Sequence, residues 1–464
     1  MSRRVAVVGG GISGLAAALA VIDAEPAAEV VVHDAADRVG GLVATSAFAG
    51  VDHVDEGADA FLARVPEAVA LATRVGLGDD LVSPEPVGAA VWYDGLHPIP
   101  DGLLLGVPGQ LRPLASSGLL TWRGKARAAV EPFLPRTSTE PDSIGAFVRA
   151  RFGDEVHERL VDSLVGSIYA ADTDRFSLAE VPQLATLAAE SRSVLLAARR
   201  QRAAQGTATA ASSPVFAAPR RGMAALVEET AAAVVRGGGS VRRSCRVESL
   251  HRTTDGRWEL DGDTERGSFD AVIVATPARA AGDLLGAVSA DAAALLGEAE
   301  TADVIMVTIH VDGSIWPDRL RGMSGYLVPK PVQRWVTASS FASQKWAHWR
   351  PPAGGEILRV SLGRDGMPVM QLSDDEAVDA VLADLDLHLG LDIAPLEIRI
   401  TRWPAAFAQY RPHHRAWVGA VEDALPPGVF LTGAGYRGIG LPACVRSGGV
   451  TATRVSEYLH RPRP

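Results

Sequence analysis

The chain opens with a buried-strand pattern, a helix pattern and a second strand pattern. Residues 5–8 (Val-Ala-Val-Val) form an unbroken apolar run, residues 13–24 are rich in alanine with helical spacing, and residues 30–33 (Val-Val-Val-His) are apolar again. Short apolar runs of this kind are typical of strands that are buried on both faces of a parallel sheet. The succession predicts the β-α-β opening of a doubly wound α/β fold.

The pattern changes over residues 81–210. Helical spacing of apolar residues is interrupted there repeatedly by prolines, which predicts an insertion made of short helices. Near the end of this region, residues 203–214 are small and polar, and they predict a loop or linker.

Strand patterns return in the second half of the chain. Residues 240–275 predict several strands, and residues 303–310 and 356–363 alternate in the manner of a second sheet. A final strand at 429–432 leads into a glycine-rich turn and a helix over about 442–459. Because similar buried strands occur at the start, middle and end, we expect the first lobe to be discontinuous in sequence.

Composition narrows the class of protein. A chain of 464 residues, 47% hydrophobic and 22% charged, is expected to fold as a globular protein of two or three lobes. Its net charge of −10 disfavours nucleic acid as a partner. The two distant cysteines, Cys245 and Cys444, predict neither a disulfide framework nor a metal site. No signal-peptide pattern and no apolar run of about 18 residues is found, so we expect a cytoplasmic protein.

A glycine-rich turn follows the first strand. Residues 9–14 read Gly-Gly-Gly-Ile-Ser-Gly, the G-x-G-x-x-G spacing at the start of a helix. Gly9 permits the tight turn, Gly11 lets the backbone approach a pyrophosphate, and Gly14 allows helix and strand to pack closely. The helix N-terminus, which includes Ser13, offers unpaired N–H groups to phosphates. Taken alone, this spacing also fits a plain tight turn.

An acidic residue ends the second strand at the position that a dinucleotide site requires. Asp34 follows Gly14 by 20 residues, where a carboxylate accepts hydrogen bonds from the adenosine ribose hydroxyls. A helix cap at the surface is the alternative role. NAD and FAD both satisfy these two features, so they do not identify the cofactor.

The residues after Asp34 resemble a known family. Residues 34–41, Asp-Ala-Ala-Asp-Arg-Val-Gly-Gly, resemble the acid-x-x-x-Arg-x-Gly-Gly extension of the FAD-dependent amine oxidase and protoporphyrinogen oxidase superfamily, which usually has glutamate at the first position. The resemblance implies non-covalent FAD, with Arg38 supplying positive charge and Gly40 and Gly41 letting the chain pass the cofactor. A surface ion pair is the alternative role for Arg38.

Four further segments resemble cofactor contacts of that superfamily. Residues 56–61 resemble its loop beside the flavin ring, residues 246–248 its strand near the adenine, residues 275–277 its turn next to the cofactor, and residues 402–404 the segment whose tryptophan lies by the flavin. The resemblance places these residues at the cofactor: Gly57, Ala58, Asp59, Ala60, Val247, Ala275 and Trp403.

The C-terminal segment combines a strand, a glycine turn and a helix start. Pro442 stands at the expected first position of that helix. The positive end of the helix dipole would face the flavin, where reduction adds negative charge. The resemblance assigns cofactor contacts here to Gly435, Ile439, Gly440 and Leu441.

The order of motifs along the whole chain resembles bacterial porphyrinogen oxidases of the Gram-positive type. Residues 436–444 resemble the S-Y-x-G-V-G-L-P-D-C segment of that family, but this chain lacks the serine before Tyr436 and has Ala443 for the aspartate. Five segments resemble the helical domain of the family: residues 97–100, 118–120, 124–129, 153–156 and 166–172.

This resemblance implies the oxidation of a porphyrinogen to a porphyrin with O₂ as the acceptor. Six electrons would leave in three flavin turnovers, each giving H₂O₂, and no protein residue is assigned as a catalytic base. Coproporphyrinogen III is the expected substrate and protoporphyrinogen IX the alternative. The competing interpretations are another flavin amine oxidase or desaturase of the superfamily, and a flavin- or porphyrin-binding protein without turnover.

Four residues are candidates for substrate contacts. Arg64 follows the flavin loop and matches a basic position of the family, where it would pair with a propionate; a solvated arginine is the alternative. Ser167, Ile168 and Tyr169 match a segment that lines the pocket in the family, although an aromatic residue there also fits an ordinary core.

The resulting fold class is α/β, with a Rossmann-like FAD-binding domain, a mixed-sheet substrate domain and a helical insertion. The resemblance is also compatible with a homodimer and with peripheral association with the inner face of a membrane, for which residues 102–122 are apolar enough, although a plain core fits them equally. The expected division is FAD-binding domain at 1–80, 211–280 and 411–464, helical domain at 81–210, and substrate domain at 281–410.

Overall fold

The computed structural model of the protein describes residues 3–207, 214–264 and 267–461. Its strands are β1 (Arg4–Val8), β2 (Glu29–His33), β3 (Thr45–Phe48), β4 (Val51–Asp55), β5 (Phe61–Leu62), β6 (Leu81–Val82), β7 (Gly88–Trp92), β8 (Leu96–Pro98), β9 (Leu103–Leu104), β10 (Val107–Pro108), β11 (Phe216–Pro219), β12 (Ser240–Arg242), β13 (Val247–Arg252), β14 (Trp258–Gly262), β15 (Ser268–Phe269), β16 (Ala271–Val274), β17 (Thr301–Val311), β18 (Met323–Leu327), β19 (Val336–Phe341), β20 (Glu356–Leu362), β21 (Glu397–Ala408) and β22 (Val429–Leu431).

The α-helices alternate with these strands along the chain. They are α1 (Ile12–Ala24), α2 (Pro66–Arg74), α3 (Leu111–Ser116), α4 (Trp122–Ala129), α5 (Ile144–Phe152), α6 (Asp154–Val156), α7 (Ser167–Tyr169), α8 (Pro182–Glu190), α9 (Val194–Thr207), α10 (Met223–Arg236), α11 (Ala278–Leu285), α12 (Ala290–Gly297), α13 (Ala342–Lys345), α14 (Asp374–Leu389), α15 (His414–Asp423) and α16 (Leu441–Leu459). A π-helical stretch, His157–Gly166, joins α6 to α7.

A five-stranded parallel sheet forms the centre of the first lobe. Its order is β12-β2-β1-β16-β22, so strands from the start, middle and end of the chain lie side by side. Val5 and Val7 of β1 are completely buried, because helices α1, α10 and α16 cover one face and α11, α12 and α15 help to cover the other. The predicted discontinuous Rossmann-like lobe is therefore confirmed.

The first and last long helices, α1 and α16, pack against each other beside this sheet. A Cβ atom added to Gly448 would lie 2.7 Å from the carbonyl oxygen of Ser13 and 2.8 Å from the backbone nitrogen of Ala17. Such a contact is too short for any side chain at position 448. The glycine therefore lets the two backbones approach closely.

A second, mixed sheet contains the strands predicted at 303–310 and 356–363. Its order is β21-β17-β20-β19-β18-β7-β8, and β17 pairs antiparallel with β20, with Ile309 opposite Leu358. Helix α14 packs on this sheet, and Val381 and Leu385 of that helix are fully buried in the shared core.

Two predicted segments differ from the structure. Residues 81–108, expected to be helical, form β6–β10, and β7 and β8 extend the second sheet. Val91 of β7 is buried in the core of the helical region and Ala90 in the core of the second sheet, so both cores hold this segment as a strand. The helices of the predicted insertion, called the helical lobe below, begin at Leu111 and continue to Thr207. The linker predicted at 203–214 begins inside α9, which ends at Thr207, and residues 208–213 lie outside the described residues.

The expected boundary at residue 281 also differs from the packing. Helices α11 and α12 pack on the central sheet, since Leu285 and Leu296 share a core with Val272 of β16. The lobe built on the central sheet therefore extends to about residue 297. Among the helices of the described ranges, none is long and apolar enough to cross a membrane.

Candidate functional site

A cavity of about 1490 Å³ lies between the lobes. Its wall combines residues of the central sheet, the second sheet and the helical lobe. Small-molecule sites usually enclose about 300–1,000 Å³. This cavity therefore has room for more than one ligand.

The glycine turn after β1 forms part of the wall. Gly9 has a φ of +111°, and a Cβ there would lie 2.9 Å from the carbonyl oxygen of Ala275, so only glycine fits the turn. A Cβ on Gly11 would have no protein atom within 4 Å, because this residue faces the open cavity. Gly14 lies beneath the turn, where a Cβ would be 2.0 Å from the carbonyl oxygen of Gly9.

The N-terminus of α1 is directed at the same part of the cavity. Gly11 is the N-cap, and within the described residues no side chain caps this helix and no acidic residue lies in its first turn. Ser13 lies on the cavity wall. Free N–H groups and the helix dipole make this end a binding site for a phosphate group.

Asp34 and Val247 both lie on the cavity wall. One of the Asp34 carboxylate oxygens accepts from the backbone nitrogen of Gly10 at 2.7 Å and the other from that of Ala36 at 2.8 Å. Because each carboxylate oxygen can accept two hydrogen bonds, the group keeps capacity for ribose hydroxyls. The two backbone bonds fix its orientation.

Arg38 is not on the cavity wall. Its guanidinium donates to the carbonyl oxygen of Val43 at 2.9 Å and to that of Gly41 at 2.8 Å. These bonds shape the loop that places Gly40 and Gly41 on the wall, and Gly40 also donates to the carbonyl oxygen of Gly10 at 2.9 Å. In this structure the Arg38 guanidinium therefore stabilises the loop, because its hydrogen bonds go to backbone carbonyl oxygens.

The segment after β4 forms the opposite part of the wall. Gly57, Ala58, Asp59 and Ala60 all contribute to it, as does Trp403 of β21. The Trp403 indole donates to the carbonyl oxygen of Glu56 at 3.2 Å, and a Cβ on Gly57 would lie 3.4 Å from the Trp403 ring. The indole is thus held in place against this loop.

A second uncapped helix N-terminus meets the cavity at α16. Its N-cap is Gly440, and in the part of the chain that the structure describes no side chain caps it and no acidic residue lies in its first turn. The predicted residues Gly435, Ile439, Gly440 and Leu441 all lie on the wall, as does Ala275. The positive end of this dipole is suited to stabilise negative charge on a bound ring system.

Asp59 is held by three donors that sequence reasoning missed. Lys345 donates to its Oδ2 at 2.7 Å, Trp346 at 3.2 Å, and an Arg359 nitrogen lies 3.3 Å from the same oxygen. Burial by itself would raise the pKa of Asp59, but Lys345 and Arg359 outweigh it and hold that pKa well below its usual range. Asp59 is therefore a permanently ionised, fixed group.

Three of the four residues predicted to contact substrate lie on the cavity wall. Ser167, Ile168 and Tyr169 line the cavity, and Ile168 is 49% exposed, so this wall extends to the molecular surface. Burial raises the pKa of Tyr169, which therefore stays protonated. Arg64 is exposed and does not line the cavity, although Leu62, two residues before it, does.

Arg364 is a cavity residue that the sequence did not reveal. Its guanidinium makes a two-bond ion pair with Asp162 of the π-helical stretch, at 3.0 and 2.8 Å, and also donates to the carbonyl oxygen of Ala171. Burial favours the neutral form of Asp162, yet Arg364 lowers its pKa overall. The only local signal was a Gly-Arg-Asp-Gly turn after a strand, which does not distinguish a site from a surface loop.

A second ion-paired arginine of the wall is Arg411. It donates to Glu300 at 2.9 and 2.5 Å and to Asp365 at 2.6 and 2.9 Å. Arg175, from the helical lobe, bonds the same Glu300 at 2.9 Å. This cluster ties the helical lobe to the second sheet at the edge of the cavity.

The residues present fit FAD. A phosphate-binding helix start, a fixed carboxylate for a ribose and a second helix start for a ring system all open into one cavity. Gly11, with open space where a side chain would be, supplies the close backbone approach that a pyrophosphate needs.

Comparison with known proteins also indicates a flavin-binding protein. The family model "Flavin containing amine oxidoreductase" matches residues 12–456. The chain is 32% identical to coproporphyrinogen III oxidase of Bacillus subtilis (strain 168), over 98% of both chains, and 31% identical to that of Mycobacterium tuberculosis (strain H37Rv), again over 98% of both. A crystal structure from Exiguobacterium sp. 255-15, provisionally assigned as a protoporphyrinogen oxidase, superposes with a TM-score of 0.86 at 28% identity, covering 98% of this chain and 99% of that one.

Proposed function

Because this chain belongs to the flavin-containing amine oxidoreductase family, we propose that it oxidises a porphyrinogen to a porphyrin with bound FAD, and that coproporphyrinogen III is its substrate. The observation that carries the proposal is the cavity itself. One continuous space joins the glycine turn at Gly11 and the helix start at Gly440 to the wall at Tyr169. FAD and a tetrapyrrole can therefore lie in contact.

The reaction balances as three two-electron oxidations. Coproporphyrinogen loses six hydrogen atoms in total, and three O₂ molecules accept them as three H₂O₂. When bound, FAD supplies the two-electron acceptor for hydride from a methylene bridge, and the neighbouring pyrrole nitrogens stabilise the cation left behind. The protein's task is to bind, orient and exclude water.

Each of these tasks has residues in the cavity. The start of α1 and Asp34 would bind the dinucleotide, and Trp403 would orient the ring system from one side. The uncapped start of α16 would stabilise the negative charge that reduction adds. Asp59, held by Lys345, Trp346 and Arg359, would keep its loop in place on the wall of the same cavity.

Two experiments test the proposal. Purified protein should be yellow, and its flavin absorbance should bleach when coproporphyrinogen III is added without oxygen. In air, fluorescent porphyrin should form faster from coproporphyrinogen III than from protoporphyrinogen IX. Equal rates would remove the substrate preference, and bleaching by an amine but by neither porphyrinogen would replace the proposed activity with amine oxidation.

We also propose Arg64 as a partner for a substrate propionate at the exposed edge of the cavity. The support is its exposure beside Leu62, which lies on the wall. Arg64→Ala should raise KM for coproporphyrinogen with little change in kcat. Arg74→Ala is the matched control, since Arg74 is also exposed but pairs with Asp23 at the far end of α2; an equal effect of both variants would count against a specific role.

Peripheral membrane contact is proposed through the helical lobe. The predicted segment 102–122 mixes buried residues, such as Leu119 and Leu120, with exposed ones, and Trp122 at its end is 74% exposed; nearby, Phe133 is 81% exposed. Arg123, also exposed, lies over the Trp122 ring at 5.4 Å, and exposed aromatic residues beside basic ones are typical of contact with anionic lipid. Sedimentation with phosphatidylglycerol vesicles should capture the protein, and the double variant Trp122→Ser, Phe133→Ser should stay in the supernatant; equal capture of both would reject this surface.

A further inference from the structure

The turn between β22 and α16 depends on contacts from outside itself for its shape. It contains four glycines, and Gly433 and Gly438 have φ values of +130° and +116°. Glycine gives a turn the freedom to adopt such angles but also many alternative shapes. Because Gly435 and Ile439 of this turn lie on the cavity wall, its shape decides the shape of the site.

One hydroxyl group bridges the two sides of this turn. The Tyr410 hydroxyl donates to the carbonyl oxygen of Ala434 at 2.6 Å and accepts from the backbone nitrogen of Gly438 at 2.9 Å. Both its donor and its acceptor capacity are used within five residues of chain. The hydroxyl therefore fixes the distance between residues 434 and 438.

The ring that carries this hydroxyl is itself held firmly. Tyr410 is fully buried, and its ring stacks on that of His414 with centroids 4.0 Å apart and on that of Phe176 at 5.6 Å. Its carbonyl oxygen accepts from the backbone nitrogen of Ser177 at 2.7 Å. Burial raises the pKa of the Tyr410 phenol well above its usual value, so the group stays protonated and able to donate.

We propose that Tyr410 is a positioning residue for the cofactor: its hydroxyl holds the 433–440 turn in the shape that grips FAD. The inference rests on the proposed function, since it assumes that FAD occupies the cavity. It goes beyond it by assigning a role to a residue that lies off the cavity wall and acts only through backbone atoms of the turn.

The chain offers a matched control in the same turn. The Tyr436 ring is buried and stacks on Trp417, and among the residues that the structure describes its hydroxyl has no hydrogen-bond partner. Tyr436→Phe therefore removes a buried hydroxyl close to the turn without breaking a bond. Tyr410→Phe removes the same atom but leaves the Ala434 carbonyl and the Gly438 amide unsatisfied.

The test compares the release of FAD from the two purified holoproteins. Dilution with continuous recording of flavin fluorescence gives the release rate. Tyr410→Phe should release FAD about tenfold faster than wild type, the effect expected from losing one to two hydrogen bonds. Tyr436→Phe should release it at the wild-type rate. Hydrogen–deuterium exchange should show faster exchange of residues 433–440 in Tyr410→Phe alone.

The possible results separate the inference from the proposed function. Wild-type release from Tyr410→Phe, or equally fast release from both variants, would overturn the positioning role. A wild-type protein that carries no FAD would overturn the proposed function, but the exchange comparison would still report whether Tyr410 orders the turn. If residues 433–440 exchange equally in wild type and Tyr410→Phe, the hydroxyl does not hold the turn.

Discussion

An alanine in place of Gly14 should impair folding, whereas an alanine in place of Gly11 should impair cofactor binding. At Gly14 an added Cβ would lie 2.0 Å from the carbonyl oxygen of Gly9, so α1 would have to move by roughly 1.5 Å to restore an ordinary contact. Its packing on α16 at Gly448 resists that movement. At Gly11 the same added atom meets no protein atom within 4 Å, and its backbone, with φ −72° and ψ 171°, suits any residue.

The two alanine variants should therefore fail in different assays. Gly14→Ala should lose about 1–3 kcal/mol of stability from overpacking, partly offset by about 1 kcal/mol from replacing a helical glycine. Gly11→Ala should change the stability of the FAD-free protein by less than about 0.5 kcal/mol. It should nevertheless weaken FAD binding at least about tenfold, since the new methyl group occupies the space where the pyrophosphate meets the backbone.

Thermal unfolding without FAD and a fluorescence titration with FAD give the two readouts. Gly297→Ala serves as a control, because a Cβ at Gly297 has no neighbour within 4 Å and the residue lies outside the cavity wall. The reasoning fails if Gly11→Ala unfolds as early as Gly14→Ala. It also fails if Gly11→Ala binds FAD as tightly as the wild type does.

Two further predictions concern buried carboxyl groups. Burial raises the pKa of Asp55 from 3.8 to about 7. The folded state therefore keeps a proton that the unfolded state loses, and stability should fall by up to about 4 kcal/mol as pH rises from about 4 to about 7. Asp55→Asn should lack this fall when unfolding midpoints are compared across that range, and parallel profiles would contradict the assignment. Arg151→Met should lower the free energy of unfolding by about 3–5 kcal/mol, because it leaves the fully buried Glu131 carboxylate without its cationic partner. Adding Glu131→Leu should recover part of that loss in urea unfolding, and no recovery would show that packing, not charge, sets the cost.

The parts of the site that the sequence predicted are those in which local backbone geometry determines the residue. Gly9 adopts a positive φ and position 14 has no room for a side chain, so the turn requires glycine at both positions and the sequence shows this directly. Asp34 is similar, because the end of a strand fixes where its carboxylate lies. These residues lie where the spacing of a strand, a turn and a helix placed them.

The parts that the sequence did not predict depend on contacts between distant elements. Arg364 and Asp162 meet only because a turn after β20 packs on the π-helical stretch, and neither residue has a pattern around it. Lys345 reaches Asp59 across 286 positions of chain. Residues 88–92 form strand β7 and not the predicted helix, because one of their two pairing partners, β18, lies more than 200 residues away. In each case long-range packing decided what local propensity could not.

β22 pairs with β16 and α16 packs on α1, so this lobe is completed only after the C-terminal elements have been made. A ribosome makes the Gly9–Gly14 turn first and the Gly435–Leu441 turn near the end, yet both line one cavity. During synthesis, β16 therefore exposes the edge that later pairs with β22, and α1 exposes the face that later packs on α16. A chain that lacked α16 would lose the helix start at Gly440 and part of the wall, and we expect it to bind no flavin.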